Sequence, residues 1–382
     1  ICLSEREMRS PALWTTISTG RPRSVHGIYD FVTGSRLWPM DQRDVERRLV
    51  TSKMRKVPAI WNITPDKKVA IIGWLNTWPA EKVNGIMVSP YVAIGSPKQV
   101  TIKGTVYPDI PHQVYPEERW DEIRSLIVTP EKISDELIST FIEMPDKDVL
   151  SVFRLIPRYI KGLRWSLAHS LTMRNITLHL LKTDSPDVTM VYFEGSDSLG
   201  HRFWLFRQSI HEIQEQLKEV GYPPEYAEKL KKAFGNIMHQ YYIKLDTIIG
   251  ELTEEMGKNC NLIICSDHGF TKRSKDNPVT KYVPFTGEHR FEGTLFIHGP
   301  HIRPNKQIIG ATLYSIAPTV LDLLGITPPE EFEGTSLLKQ IINKGNTVHA
   351  QKNKVSDDDD ESIELPFTDE EMDRLRSLGY LN

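Results

Sequence analysis

Val188-Thr-Met-Val-Tyr-Phe-Glu194-Gly-Ser-Asp197-Ser-Leu-Gly-His201 joins an apolar run to a carboxylate and an imidazole four residues apart. The run has the length of a buried strand, and the two polar groups follow where it ends. A loop or first helical turn there can aim both at one cation, because zinc accepts mixed oxygen and nitrogen ligands. The arrangement recurs downstream. Asn261–Ser266 reads as a strand and runs into Asp267-His268-Gly269, and Gly287-Glu288-His289 supplies a third imidazole. Each string alone has a bland reading: a surface Asp beside a helix-facing His, a divergent pair, a satisfied loop histidine. In this order and near strand ends, they offer three imidazoles and two carboxylates, most of a two-metal site. Two metals held close together are a standard device for moving phosphoryl groups.

Working outward, Val69–Trp74, Gly85–Ala93 and Thr294–His298 also read as buried strands. Trp204–Val220, Pro224–Met256 and Tyr314–Leu324 read as amphipathic helices, with Gly221 and Pro223-Pro224 as breakers between the first two. Strand–helix alternation predicts an α/β fold, a mostly parallel central sheet covered by helices on both faces. Ligands of such sheets bind at the carboxyl ends of the strands, where Asp197 and Asp267-His268 fall. Residues 96–187 differ: proline and charge are frequent before Ile127, and helical patterns follow to Leu181. They are expected to form an insertion or cap within a catalytic domain of residues 1–345. Residues 346–361 include Asp357-Asp-Asp-Asp-Glu361 and read as a solvated acidic linker, an acidic metal-binding tail being the alternative. Residues 362–382 read as a helical tail, with Thr368 as N-cap and Glu371 three residues on.

The bulk composition excludes several classes. Lys plus Arg number 47 and Asp plus Glu 50 among 382 residues, so nothing global argues for a nucleic-acid polymer or an anionic membrane as partner. No run of 18 apolar residues is present, so no membrane span is expected. Three cysteines, Cys2, Cys260 and Cys265, are no disulfide framework and lean toward a reducing compartment. The sequence opens on Ile1 with no signal peptide in view, so localisation is not read from it, nor is oligomeric state.

Near the start lies Ser10-Pro-Ala-Leu-Trp-Thr-Thr-Ile-Ser-Thr-Gly20, followed by His26-Gly27-Ile28. A serine opening a helix that ends in glycine presents a hydroxyl at a positive helix end; the bland reading is an ordinary N-cap with Pro11 in the first turn. His26 is expected to shape the following loop. Phe203 and Trp204 read as core anchors, with a substrate wall as the alternative.

Together these strings resemble the alkaline phosphatase superfamily, and within it the type I phosphodiesterase/nucleotide pyrophosphatase branch. The resemblance runs from Ser10 to about Lys339 and includes Ser315-Ile-Ala-Pro-Thr-Val-Leu-Asp-Leu-Leu-Gly325 and Phe332-Glu-Gly-Thr-Ser336. It implies that Ser10 is the nucleophile. Asp197, His201 and His289 would bind one zinc, and Asp267 and His268 the other, which also touches Ser10. It further implies two Zn²⁺ ions, with Mn or Fe as alternatives, a phosphate-ester substrate, and in-line attack through a phosphoseryl intermediate that water then hydrolyses. Metal coordination answers a physical need, since a free serine hydroxyl is a poor nucleophile at neutral pH.

Three departures stand out. The family opens with a strand ending in an Asp that completes the second site, and this sequence begins only a few residues before Ser10. That first strand is expected to be missing, with Glu5 and Glu7 as the nearest carboxylates. Phe31 stands where nucleotide pyrophosphatases carry an Asn, and Ser10 replaces the commoner Thr. The sulfatase nucleophile motif is absent at Ser10, and phosphoglycerate mutases use a different ligand set. The rival readings are an impaired or inactive relative serving as a binding module, and a phosphotransferase that delivers phosphoryl to an alcohol.

Overall fold

The structure, a computed structural model, describes residues 2–3, 8–35, 49–94, 111–274 and 284–342. The strands that matter here are β1 (Val69–Ile72), β2 (Gly85–Val88), β3 (Val114–Tyr115), β4 (Val188–Val191), β5 (Leu262–Cys265), β6 (Gly269–Thr271), β7 (Glu288–Arg290) and β8 (Leu295–His298). The principal helices are α1 (Ser10–Thr19), α2 (Ile156–Asp184), α3 (Gly195–Phe203), α4 (Ile210–Glu219), α5 (Ala227–Phe234), α6 (Ile237–Met256) and α7 (Ile316–Leu323).

The main sheet has the order β3-β2-β1-β4. β1 runs parallel to both neighbours, with Val69 opposite Gly85 on one side and Val188 on the other. β3 closes the far edge antiparallel, with Met87 opposite Tyr115. All four residues of β1 are buried, and period-two alternation explains how. Val69 and Ile71 pack with Leu13, Trp14 and Ile17 of α1. Ala70 and Ile72 face the other way, into Met173, Ile176 and Leu180 of α2. A strand sandwiched between two helices has no solvated face, which is why it reads as an unbroken apolar run. The α/β class and its mostly parallel central sheet are therefore as the periodicity predicts.

Two shorter pairings flank the site. β5 pairs antiparallel with β8, Leu262 opposite His298 and Cys265 opposite Leu295. β6 pairs antiparallel with β7, which sets Phe270 opposite His289. Cys265 and Leu295 lean on the cluster that holds Leu13 and Trp14, so the end of β5 lies beside α1. These two strands correct an expectation. Asn261–Ser266 and Thr294–His298 read as buried, but β5 is half-buried throughout and Phe296 is 65% exposed. Among the described residues each pairs only with the other, so neither is enclosed on both sides as β1 is. Near the start, Cys2 pairs with Gly293 and Leu3 with Glu292, antiparallel and outside the main sheet.

Other boundaries shift for local reasons. The strand expected over Gly85–Ala93 stops at Val88, where Ser89-Pro90 opens a short helix at Tyr91–Ile94. The helix expected over Trp204–Val220 is a 3₁₀ turn, Trp204–Arg207, followed by α4. Ser209 resets the helix through a capping box: its Oγ accepts the Glu212 N–H at 3.3 Å, and Glu212 Oε2 accepts the Ser209 N–H at 3.0 Å. Pro224–Met256 likewise divides at Gly235-Asn236 into α5 and α6. The span 96–187, expected as a cap, is partly core where it is described. β3 belongs to the main sheet, and the C-terminal half of α2 covers it. Ile123 and Ile127 join that layer, whereas side chains from Ile133 to Ala168 pack with α3–α5 around Phe153, Tyr159, Phe203, Phe206, Phe234 and Phe285. The acidic linker and helical tail after residue 345 lie outside the described residues.

Two histidines are locked inside this frame. His169 on α2 is 1% exposed, and neither ring nitrogen has a hydrogen-bond partner. Burial pushes it down to about 3. His26 is fully buried, and its Nδ1 accepts the Ile28 N–H at 3.1 Å. Nε2 therefore carries the proton and donates to Thr16 Oγ1 at 3.1 Å, pinning the loop to α1. Burial above all, with Arg55 and Arg23 nearby, lowers it to about 3 as well. Both groups are depressed relative to an unfolded value near ~6.5. Their contribution is therefore complete above that value and is lost as pH falls toward 3. At pH 5 each costs roughly 2 kcal/mol. Urea unfolding from pH 7 to 4.5 is expected to show this fall, with a visibly shallower slope for His169→Gln. Equal slopes for the two proteins would contradict it.

Candidate metal centre

α3 begins directly after β4, and the close packing of its first turn fixes its direction. A Cβ at Gly195 would meet the Tyr241 hydroxyl at 2.1 Å, so only glycine fits. Asp197 sits in the first turn, where the helix end favours a carboxylate. His201 lies one turn later on the same face. Asp267 and His268 occupy the turn between β5 and β6. There a Cβ at Gly269 would strike the Glu292 carbonyl oxygen at 2.3 Å. His289 arrives on β7, brought across by pairing with Phe270.

These five side chains converge. Asp197 Oδ1 lies 3.1 Å from His289 Nε2, 3.5 Å from His201 Nε2 and 3.6 Å from His268 Nε2. His289 Nε2 and His201 Nε2 are 3.0 Å apart, and His268 Nε2 is 3.6 Å from Asp267 Oδ2. The His268 and His289 rings stack with centroids 3.6 Å apart. One donor atom from each of Asp197, His268 and His289 falls within a 4.8 Å sphere of mutual distance.

The hydrogen bonds on the far sides of two rings fix their tautomers. Thr286 Oγ1 donates its proton to the Gly287 carbonyl at 2.7 Å and sits 3.0 Å from His201 Nδ1. Its proton being committed, the hydroxyl accepts from Nδ1–H, and His201 Nε2 is a bare lone pair. His268 Nδ1 faces the Gly269 carbonyl oxygen at 3.2 Å, which can only accept, so its Nε2 is bare too. Burial lowers His201 to about 3 and lowers His268, so both stay neutral. For Asp197, burial pulls upward, but the surrounding imidazoles outweigh it and hold the carboxylate ionised well below its usual range. Lone pairs and carboxylate thus face one another in a nearly dry pocket. The Asp267 Oδ2 and His268 Nε2 atoms are buried without a hydrogen-bond partner. Such a donor set fits a divalent cation of mixed nitrogen and oxygen preference, with Thr286 and the Gly269 carbonyl as orienting partners behind the rings.

Ser10 lies apart from this list of contacts. It is the first residue of α1, 6% exposed, with Arg9 at the N-cap and Pro11 next. It is therefore not itself the N-cap. Among the described residues no hydrogen bond engages its Oγ. Asn76 clamps the turn behind it, donating from Nδ2 to the Pro11 carbonyl at 2.9 Å and to Thr15 Oγ1 at 3.0 Å. Glu5 and Glu7 lie outside the described residues.

Several participants carry no sequence signal. Thr286 is an unremarked residue before Gly287. Phe270 touches all three imidazoles edge-on or tilted, at 5.0 to 5.8 Å between centroids. Glu194, below the site, is raised to about 8 by burial first and then by Asp197, against the pull of Arg202 and Ser198. Arg202 in turn donates to the Ser198 carbonyl and hydroxyl, which braces α3.

An α/β sheet with carboxylates and imidazoles gathered beside it agrees with the alkaline phosphatase superfamily that the sequence strings resemble. More narrowly, the pattern of the type I phosphodiesterase/nucleotide pyrophosphatase family matches residues 9–333, and the chain belongs to that family. It is similar to the 2,3-bisphosphoglycerate-independent phosphoglycerate mutase of Aster yellows witches'-broom phytoplasma (strain AYWB). The identity is 31% over 100 residues, 26% of this chain and 17% of that protein. It is also similar to the bis(5'-adenosyl)-triphosphatase ENPP4 of Pongo abelii, 26% identical over 167 residues, 42% of this chain and 30% of that one. The matched stretches thus span less than a third of these curated relatives. The motifs alone set the mutases apart, yet one of them appears here. A solved structure of BT4656 in complex with its substrate D-glucosamine-2-N,6-O-disulfate aligns at a TM-score of 0.41 and 14% identity, covering 91% of this chain and 73% of that one. No helix among the described residues is long and apolar enough to cross a membrane.

Proposed function

We propose that the protein is a metal-dependent hydrolase of small phosphate esters, working through a phosphoseryl intermediate at a two-zinc site. The observation that carries this reading is the pair of bare Nε2 lone pairs of His201 and His268 turned on the Asp197 carboxylate. Asp197, His201 and His289 would hold one ion; Asp267, His268 and Ser10 would hold the other. Divalent ions at these positions would supply charge neutralisation for the phosphate oxygens and a lowered pKa for the serine hydroxyl. Ser10 Oγ attacks phosphorus in line as the ester P–O bond breaks on the opposite face; the serine proton passes to solvent, and the leaving oxygen takes a proton from solvent to depart as the alcohol. Water then cleaves the phosphoserine and restores Ser10. Thr286 and the Gly269 carbonyl keep His201 and His268 in the tautomer this requires. The Asn76 clamp holds the first turn of α1, and Ser10 with it. ENPP4's name as a bis(5'-adenosyl)-triphosphatase supports a substrate with a phosphate bridging two groups. The mutase relative supports transfer to an alcohol as a second outcome, which product analysis with added glycerol would reveal.

The test is metal content by elemental mass spectrometry on protein purified without chelator, alongside turnover of bis(p-nitrophenyl) phosphate and p-nitrophenyl phosphate. About two transition-metal ions per chain and turnover of at least one ester are expected. Protein with no bound metal that stays silent after zinc is added would overturn the proposal and favour a binding module.

A further inference from the structure

Arg207 stands at the end of an aromatic path that leads out of the cluster. Its guanidinium carbon lies 4.2 Å over the Trp204 ring. Trp204 packs on Phe270 with centroids 5.2 Å apart, and Phe270 meets the His289 ring at 5.0 Å. Two rings therefore separate this cation from the imidazoles. The residue is exposed, and among the described residues no carboxylate pairs with it. The neighbouring ion pairs use other cations: Lys272 takes Glu212, and Arg273 takes Glu219.

We propose that Arg207 is a specificity-determining residue that binds a second anionic group on the substrate, on the side of the cluster walled by Trp204 and Phe270. This rests on the phosphoester reading and narrows it to esters whose alcohol portion carries its own carboxylate or phosphate. A guanidinium seated over an indole keeps N–H donors for such a group. Part of its ordering cost is already met by the stacking, and the planar fork suits two anionic oxygens. A purely structural Arg would cover Trp204 and leave ligand charge without effect.

The test is calorimetric binding of three phosphonates to the zinc-loaded protein: phenylphosphonate, its para-carboxylate, and the longer biphenyl carboxylate. No turnover is needed. At least one carboxylated probe is expected to bind about tenfold tighter than phenylphosphonate, on the order of 1.4 kcal/mol. Arg207→Ala is expected to abolish that gain while leaving phenylphosphonate affinity within about twofold, and Arg207→Lys to restore part of it. A carboxylate gain that is absent, or that survives in Arg207→Ala, overturns this inference alone. A zinc-loaded protein that binds none of the three overturns the phosphoester reading, and this inference with it.

Discussion

Asp197→Ala is expected to strip the cluster of metal and to lower ester hydrolysis by on the order of 10³-fold or more. The geometry explains why this carboxylate outranks the other ligands. Its Oδ1 lies within 3.6 Å of the Nε2 atoms of His289, His201 and His268 alike. Removing it leaves three imidazole edges facing one another with no anion between them. Loss of a mere orienting partner typically costs 10- to 100-fold in metal affinity, so loss of the shared ligand should cost more. Folding should change little by comparison. Asp197 sits at a helix start with its carboxylate in the pocket, and α3 keeps its packing through Leu199 and Phe203. Elemental analysis, circular dichroism and turnover on one preparation separate these effects. His289→Ala is expected to follow the same pattern. Retained zinc with full turnover in either variant would sink the assignment of both residues.

Much of this cluster is legible in the sequence for a physical reason. Ligands in an α/β sheet lie just past strand ends, and the strand ends here are marked by apolar runs that stop abruptly at Asp197 and Asp267. The sequence pattern thus points to the side chains that the fold gathers, and the hydrogen bonds add what the pattern does not carry. Nothing in Thr286 announces that its committed proton fixes the tautomer of His201, because that depends on a carbonyl one residue away and a ring 85 residues earlier. Helix boundaries depart from amphipathic periodicity where a cap overrides it, as at Ser209 with Glu212, a signature present in sequence but hidden inside a longer apolar pattern. The partial exposure of β5 and β8 has a deeper reason. An apolar run records what a strand can bury, whereas actual burial depends on which neighbours pair with it, and that is non-local.

Ser10→Ala makes the sharpest demand on the proposed chemistry, because it should separate binding from bond-making. The substitution removes one hydroxyl from the first turn of α1, where no described hydrogen bond depends on it, so the helix and its packing should persist. Zinc content is expected to fall by no more than about one ion per chain. Turnover is expected to drop by about 10³-fold or more, since without the nucleophile only positioning and charge neutralisation remain. Ser10→Thr, which keeps the hydroxyl on a stiffer side chain, should retain measurable hydrolysis. The intermediate offers a direct view. Acid-quenched wild-type enzyme caught during turnover should carry an added phosphoryl group on the peptide containing Ser10 by mass spectrometry, and Ser10→Ala should carry none. If Ser10→Ala hydrolyses esters at the wild-type rate, water attacks phosphorus directly. The cluster would then remain a metal centre, but the covalent step and the role given to α1 would both be wrong.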